Sequence, residues 1–117
     1  MYKKFAFTHR QEGEIIHIVL SGYLEQTGGT QLREFVEARL QEGILRFVMN
    51  FQGIELISSP GVAALLDIAS KIIDDYAGHL AVFGLDGHHL AVLEMSGLFF
   101  LATQAASEAD AVAAVKE

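Results

Sequence analysis

The sequence contains no cysteine, which excludes disulfide bonds, thiolate metal sites and a cysteine nucleophile. This absence fits a reducing compartment, where disulfides are rare. Proline is nearly absent as well, since Pro60 is the single one, while 51% of the residues are hydrophobic and 20% are charged. Such a chain lacks the composition of a disordered protein. A chain of 117 residues should bury roughly two thirds of its unfolded surface, enough to fold without a metal or a disulfide.

Long apolar runs and basic clusters are also missing. The segment 1–10 alternates polar and apolar residues and does not lead into the apolar core of a signal peptide. The most apolar stretch, 91–102, is interrupted by Glu94, Ser96 and Gly97, so no segment can span a bilayer. We therefore expect a soluble, cytoplasmic protein with no direct membrane insertion. The net charge is −7 and the eight basic residues are scattered, which argues against a nucleic-acid partner.

What the sequence does contain is an opening hairpin followed by alternating strands and helices. The predicted strands are 4–8, 14–20, 44–51, 79–83 and 98–102. Gly28 and Gly29 lack the spacing of a phosphate-binding loop and are interpreted as a turn. Helices are predicted after Thr27 or Thr30 up to Gly43, from Pro60 to Gly78, from Leu90 to Met95 and from Ser107 to Val115. The order β-β-α-β-α-β-α-β-α predicts one α/β domain over 1–117, with helices packed on a mixed, mostly parallel central sheet.

The second predicted helix has the clearest pattern of apolar and polar positions. Its apolar face, which should pack on the sheet, contains Leu65, Leu66, Ile68 and Ile72. Its opposite face, which should stay in water, carries Asp67, Lys71 and Asp74. The strand before it, 44–51, is apolar almost throughout, which is typical of a strand covered on both faces.

At the start of this helix, Ser58 and Ser59 precede Pro60. Proline is favoured at the first helical position because its missing N–H would be unpaired there anyway. We therefore predict that Pro60 is the first helical residue and that Ser59 is the N-cap, its hydroxyl accepting from the N–H of Gly61 or Val62. Capping alone would explain the residue types at these positions.

The segment 50–65, with the order of elements around it, resembles the STAS-domain family of anti-sigma-factor antagonists. The hallmark of that family is a strand and a loop followed by Asp-Ser-Ser-Gly-Leu-Gly at the start of a helix. The resemblance covers essentially the whole chain, including 22–24 at the end of the second strand and the turn at 93–98. Here the corresponding residues are Ser58-Ser59-Pro60-Gly61-Val62-Ala63. Two of them depart from the family motif, because Ser58 replaces the aspartate and Pro60 replaces the second serine.

The resemblance implies a protein-binding regulatory module rather than an enzyme. In regulated members of the family, a partner kinase phosphorylates the first serine of the motif, which makes Ser59 the candidate phosphoacceptor. The implied partner is an anti-sigma factor with a serine-kinase fold, with a phosphatase as a further candidate. No cofactor or metal is implied. Docking is expected around the start of the second helix, on Leu56, Ile57, Ser58, Pro60, Gly61 and Val62.

Two other functions remain open from the sequence. The same fold could serve a non-phosphorylated accessory subunit of a larger assembly, such as a membrane transport complex. A serine hydrolase would need a base near Ser59, and His79, His88 or His89 could approach it, although no Gly-x-Ser-x-Gly or Ser-x-x-Lys motif is present. Adjacent residues on a helix point about 100° apart and chelate a metal poorly. We therefore interpret His88 and His89 as polar residues at the start of the third helix.

Overall fold

The computed structural model describes all residues of the chain, 1–117. Its strands are β1 (Ala6–Glu12), β2 (Ile15–Leu24), β3 (Arg46–Ile57), β4 (His79–Phe83) and β5 (Thr103–Gln104). Its α-helices are α1 (Gln26–Gln41), α2 (Ser59–Ser70), α3 (Gly87–Ser96) and α4 (Glu108–Lys116). The order of these elements is the predicted one. A π-helical turn, Lys71–Asp75, continues α2, and a 3-10 turn, Leu98–Phe100, follows α3.

The strands form a single sheet in the order β1-β2-β3-β4-β5. β1 runs antiparallel to β2, whereas β2, β3, β4 and β5 are parallel to one another, so the sheet is mixed and mostly parallel as predicted. β3 lies in the middle. Its residues Phe47, Val48 and Met49 are all buried although they alternate between the two faces, which confirms that helices cover this strand on both sides.

Helices pack on both faces of the sheet. On one face, α1, α2 and α3 contribute Leu32, Leu65 and Leu93 to the larger hydrophobic core. On the other face, Ala111 and Val115 of α4 pack in a smaller apolar cluster with residues of β3 and β4. The architecture therefore has three layers, helix on sheet on helix. None of the helices combines the length and the apolar character that crossing a membrane requires.

α2 buries the face that its sequence predicts. Leu65, Ile68 and Ile72 are buried in the core, and Leu66 is half-buried at its edge. Asp74 is exposed, as expected. Burial of this stripe holds α2, and therefore its first residues, in a fixed position on the sheet.

Two ion pairs connect the outer faces of α1 and α2. Arg33 Nη1 lies 3.4 Å from Asp67 Oδ2, and Lys71 Nζ lies 3.6 Å from Glu37 Oε1. Asp67 and Lys71 are consequently half-buried rather than fully exposed. Ion pairs at the surface contribute only about 0–1 kcal/mol each, so these pairs orient the two helices more than they stabilise them.

The start of α1 differs from the prediction. The N-cap is Glu25, whose carboxylate accepts hydrogen bonds from the N–H groups of Thr27 at 2.9 Å and Gly28 at 3.0 Å. The predicted cap at Thr27 or Thr30 is therefore wrong. The carboxylate of Glu25, directly after β2, caps the helix as well as a threonine hydroxyl would. Because Glu25 precedes both threonines in the chain, the helix begins before them.

Gly28 and Gly29 lie inside α1, so the turn predicted for them is also wrong. The physical reason is close packing. A Cβ on Gly29 would lie 2.5 Å from the Cβ of Ala64 in α2, and a Cβ on Gly28 would lie 2.6 Å from the ring of Phe5. Glycine allows α1 to approach α2 and the N-terminal segment at a distance that no side chain would permit.

The strand predicted over 98–102 is the largest error. The chain forms the Leu98–Phe100 turn there instead, after Gly97 ends α3 in the left-handed conformation with φ of 89°. The fifth strand follows later and consists of Thr103–Gln104 alone. Phe99 still packs against the edge of the larger core, as expected for one of this pair, whereas Phe100 is 94% exposed.

Candidate functional site

Three helices begin at one edge of the sheet. β2, β3 and β4 are parallel and each is followed by a helix, so α1, α2 and α3 start at the carboxyl ends of these strands. In open α/β sheets, ligands bind outside this edge. Leu24 at the end of β2 pairs with Ile57 at the end of β3, which places the start of α1 beside the start of α2.

The N-cap of α2 is Ser58. Its backbone is extended, and its Oγ accepts a hydrogen bond from the N–H of Gly61 at 3.1 Å. Its own N–H donates to the carbonyl oxygen of Leu24 at 2.9 Å, which continues the pairing of β2 with β3 up to the cap. The prediction that Ser59 is the cap and Pro60 the first helical residue is therefore wrong by one residue. Pro60 is tolerated at the second position because the first four N–H groups of a helix have no partner within it.

Ser59 is the first residue of α2 and is exposed. The capping hydrogen bond is made by Ser58, so the hydroxyl of Ser59 is not needed to begin the helix. The first turn of α2 contains no acidic residue, and the N-terminal end of a helix carries a partial positive charge. Ser59 is therefore accessible to solvent, and the local field favours an anion at this position.

The residues predicted to dock a partner are brought together around Ser59, but they are not equally accessible. Pro60 is exposed, and Leu56, Ser58 and Val62 are half-buried. Ile57 and Gly61 are buried. A Cβ on Gly61 would lie 2.4 Å from the carbonyl oxygen of Leu24, so glycine is required where α2 meets the end of β2. Ile57 and Gly61 shape this surface, while the other four residues form it.

Sequence reasoning missed a groove between α1 and α2. It has a volume of about 430 Å³ and begins at Pro60. When two neighbouring parallel strands are each followed by a helix, the two helices start side by side, so α1 must start beside α2. A correct prediction of the start of α1 would therefore have indicated the groove. Its other lining residues are Gln26, Thr30, Arg33, Ala63, Ala64 and Asp67.

The three helix starts at this edge differ in charge. Hydrogen bonds from the backbone N–H groups of Thr27 and Gly28 hold the pKa of the Glu25 carboxyl below its usual value. A hydrogen bond from the backbone N–H of His89 does the same to the pKa of Asp86, the cap of α3. Carboxylates therefore neutralise the positive ends of α1 and α3, whereas α2 has the neutral cap Ser58.

No histidine forms a hydrogen bond with Ser59. His89 is buried, and its Nδ1 lies 3.0 Å from both carboxylate oxygens of Asp86, while its Nε2 is buried without a partner. Both histidines lie at the start of α3, as predicted, although His88 is exposed and His89 is buried. His17 is also buried and its Nε2 lies 3.0 Å from Glu12 Oε1. The pair of nucleophile and base that a serine hydrolase needs is not assembled at Ser59.

Comparison with protein-family models and with curated proteins gives no match for this sequence. Solved structures do match it over nearly its whole length. An anti-sigma factor antagonist from Mycobacterium paratuberculosis gives a TM-score of 0.82 at 16% identity, covering 97% of this chain and 96% of that one. The Bacillus cell fate determinant SpoIIAA in its phosphorylated form gives 0.72 at 23% identity, covering 92% of this chain and 97% of that one.

A third similar structure is an anti-sigma-factor antagonist (STAS) domain protein from Planctomyces limnophilus. Its TM-score is 0.72 at 18% identity, and the match covers 93% of this chain and 96% of that one. SpoIIAA, an anti-sigma factor antagonist, has also been solved in its unphosphorylated form. At these identities the similarity concerns the fold. The chain therefore has the fold of the STAS domains and anti-sigma-factor antagonists, as its sequence indicated.

Proposed function

We propose that this chain is a protein-binding regulatory module that docks its partner around the start of α2, in the manner of an anti-sigma-factor antagonist. The observation that carries the proposal is the exposed position of Ser59 as the first residue of α2, on a fold shared with SpoIIAA, whose structure is known with and without phosphorylation. The partner would be a cytoplasmic anti-sigma factor with a serine-kinase fold. Ser59 would be its phosphoacceptor.

Ser59 fits this role better than Ser58 does. Ser58 is half-buried and its Oγ accepts a hydrogen bond from the N–H of Gly61 at 3.1 Å, so phosphorylation there would disturb the cap. Phosphorylation of Ser59 leaves that hydrogen bond in place. A phosphoserine carries about −1.5 to −2 charges at neutral pH, and the N-terminal end of a helix favours such a charge.

The two departures from the family motif have different consequences. Ser58 keeps the capping role that an aspartate would have, because both residue types are good N-caps. It removes the negative charge of the aspartate, so a phosphate on Ser59 has no adjacent carboxylate to repel it. Pro60 removes one backbone N–H that could have contacted the phosphate. The start of α2 therefore keeps its cap beside Ser59, but it has one backbone N–H fewer to bind a phosphate there.

A phosphate on Ser59 would oppose docking through its desolvation. Leu56, Pro60 and Val62 leave part of their apolar surface accessible around it. Burying an unpaired charge among such groups costs several kcal/mol, because the charge loses its hydration without gaining a partner. The phosphorylated module would stay folded and release its partner.

Intact-mass spectrometry of the protein purified from its native host tests this proposal. A fraction of the wild-type chain should carry the mass of one phosphoryl group. Ser59→Ala should lose that fraction, and the matched variant Ser58→Ala should retain it. A phosphoryl group that persists in Ser59→Ala, or its absence under every growth condition, would contradict the switch. The replacements at Ser58 and Pro60 would then favour the non-phosphorylated accessory subunit.

A further inference from the structure

A cavity lies at the edge of the sheet opposite to Ser59. Its volume is about 460 Å³, and it is lined by the turn between β1 and β2, the first residue of β3 and the last turns of α4. β3 extends roughly 35 Å from this edge towards the start of α2, because a strand rises about 3.3 Å per residue. Small-molecule sites have volumes of about 300–1,000 Å³, so this cavity is large enough for a ligand.

The cavity carries charges of both signs. Its side chains are those of Glu12, Glu14, Ile15, Arg46, Val112 and Lys116. None of the ion pairs in the structure joins one of its carboxylates to one of its cations. Two positive and two negative groups therefore line the same space without neutralising one another.

Arg46 is held in a position that suits a carboxylate. The residue is half-buried, and its Nε donates a hydrogen bond to the carbonyl oxygen of Val115 at 2.7 Å. Val115 is itself buried in the smaller apolar cluster, so this bond anchors the guanidinium to the end of α4. The two Nη groups have no hydrogen-bond partner in the protein and are not buried. A guanidinium presents its N–H donors as a planar fork that matches the two oxygens of a carboxylate.

Glu14 provides a carboxylate close to this fork. In the pairing of β2 with β3, Ile15 lies opposite Arg46, and neighbouring strands are about 4.8 Å apart. Glu14 directly precedes Ile15 and is exposed. Glu12 is less available, because its Oε1 lies 3.0 Å from Nε2 of His17. A group that binds anions and a group that binds cations therefore lie within reach of one small molecule.

We propose that this cavity binds a small zwitterion, an α-amino acid with an aliphatic side chain. The carboxylate of the ligand pairs with the Nη groups of Arg46, and Lys116 adds a second positive charge. The ammonium group pairs with Glu14, and the aliphatic side chain contacts Ile15 and Val112. The balance of charges selects this class of ligand. A simple anion would be repelled by the two carboxylates and a simple cation by the two basic groups, whereas a zwitterion pairs with both.

This inference goes beyond the proposed function and does not depend on it, because the cavity and Ser59 lie at opposite edges of the sheet. Binding should be weak and should weaken further with salt, since Glu14 and Lys116 are exposed. We expect a Kd of roughly 1 mM at low ionic strength. A bound amino acid would connect the turn before β2 to β3 and to the end of α4.

NMR titration of the isotope-labelled full chain with L-valine tests the site. The amide signals of residues 12–15, 46 and 112–116 should shift, and the shifts should saturate with the expected Kd. Isovalerate is valine without its amino group, and isobutylamine is valine without its carboxyl group. Each should bind roughly tenfold more weakly than L-valine, because each pairs with charges of one sign alone.

Glu14→Gln separates the two contacts. This variant loses the partner of the ammonium group, so its Kd for L-valine should rise roughly tenfold, while its Kd for isovalerate should stay the same or fall. Arg46→Gln should weaken the binding of both ligands. Because Arg46 also anchors α4, circular dichroism checks that this variant folds, and Glu14→Gln carries the test if it does not. Glu34→Gln is the matched control, because Glu34 is exposed on α1 and outside the cavity, and it should bind like wild type.

Four results would overturn the proposal. The first is an unchanged wild-type spectrum at L-valine concentrations well above the expected Kd. The second is isovalerate binding as tightly as L-valine, which would assign the cavity to anions. The third is isobutylamine binding as tightly, which would assign it to cations. The fourth is an unchanged affinity of Glu14→Gln for L-valine.

Discussion

The starts of α2 and α3 lie at the same edge of the sheet but are held by different interactions. At α2 the cap is the neutral Ser58, and Gly61 in the first turn packs directly against the backbone of β2. At α3 the cap is the carboxylate of Asp86, and Gly87 has no atom within 4 Å of where a Cβ would be. Packing against the backbone of β2 therefore fixes the start of α2, and a charged hydrogen-bond network fixes the start of α3.

The network at α3 involves one carboxylate and one histidine. Asp86 Oδ1 accepts from the N–H of His89 at 2.8 Å, and His89 Nδ1 lies 3.0 Å from both carboxylate oxygens. This network changes when Asp86 is protonated. The start of α2 contains no ionisable group, so its geometry should be independent of pH.

The largest difference between the two helix starts is expected when Gly61 and Gly87 are each replaced by alanine. In Gly61→Ala the new methyl group would lie 2.4 Å from the carbonyl oxygen of Leu24, so the start of α2 must move. We expect a loss of roughly 1–3 kcal/mol in the free energy of unfolding. Gly87→Ala meets open space and should be neutral or stabilise by up to about 1 kcal/mol. Urea denaturation measures both, and equal effects would show that packing does not distinguish the two helix starts.

The glycines also show what a sequence can and cannot predict. The apolar stripe of α2 and its start near Ser59 follow from local patterns, and the structure confirms both within one residue. The assignment of the cap to Ser58 depends on its hydrogen bond to Leu24, which comes from a strand distant in the sequence. The helical position of Gly29 depends on Ala64 in the same way. Contacts between distant segments decided each of these positions.

Prediction was poorest around α3. The helix begins at Gly87, earlier than the predicted Leu90, because Asp86 provides a cap that the glycine and the two histidines obscured. The apolar run 98–102 has the length of a strand, but Gly97 ends α3 so close to it that the chain forms a turn first. Short apolar runs are ambiguous between strand and helix, and no local signal at Phe100 showed that it would be exposed.

Removing the caps should have the next largest effect. Ser58→Ala loses the oxygen that holds the N–H of Gly61 and should cost about 1 kcal/mol. Asp86→Ala loses a cap and also the partner of His89 Nδ1, so its loss should be larger, up to about 2 kcal/mol. Chemical denaturation at neutral pH compares the two. A smaller loss for Asp86→Ala would mean that the contact with His89 does not contribute.

Acid should distinguish the two caps further. The pKa of Asp86 is lowered in the folded chain, mainly by the N–H of His89, from an ordinary value of 3.8. Its contribution to stability is therefore complete above that ordinary value and is lost as the pH falls through the lower folded pKa. Asp86→Asn keeps a good cap that does not titrate. Its urea midpoint should fall less between pH 5 and pH 2 than that of wild type, whereas Ser58→Ala should fall as much as wild type. Equal pH dependence in all three proteins would contradict the role of Asp86.

The smallest effect on the fold should come from Ser59, although the effect on binding should be large. Because Ser58 provides the cap, both Ser59→Ala and Ser59→Asp should unfold within about 0.5 kcal/mol of wild type. If Ser59 lies in a docking surface, Ser59→Asp should weaken binding of the purified anti-sigma partner tenfold or more, about 1.4 kcal/mol in calorimetry, because the carboxylate must lose its hydration there. Ser59→Ala should bind like wild type. Gln104→Glu adds the same charge at an exposed position in β5 and should leave binding unchanged. A folded Ser59→Asp variant with unchanged affinity would remove Ser59 from the docking surface, because this experiment needs no kinase and tests the surface alone.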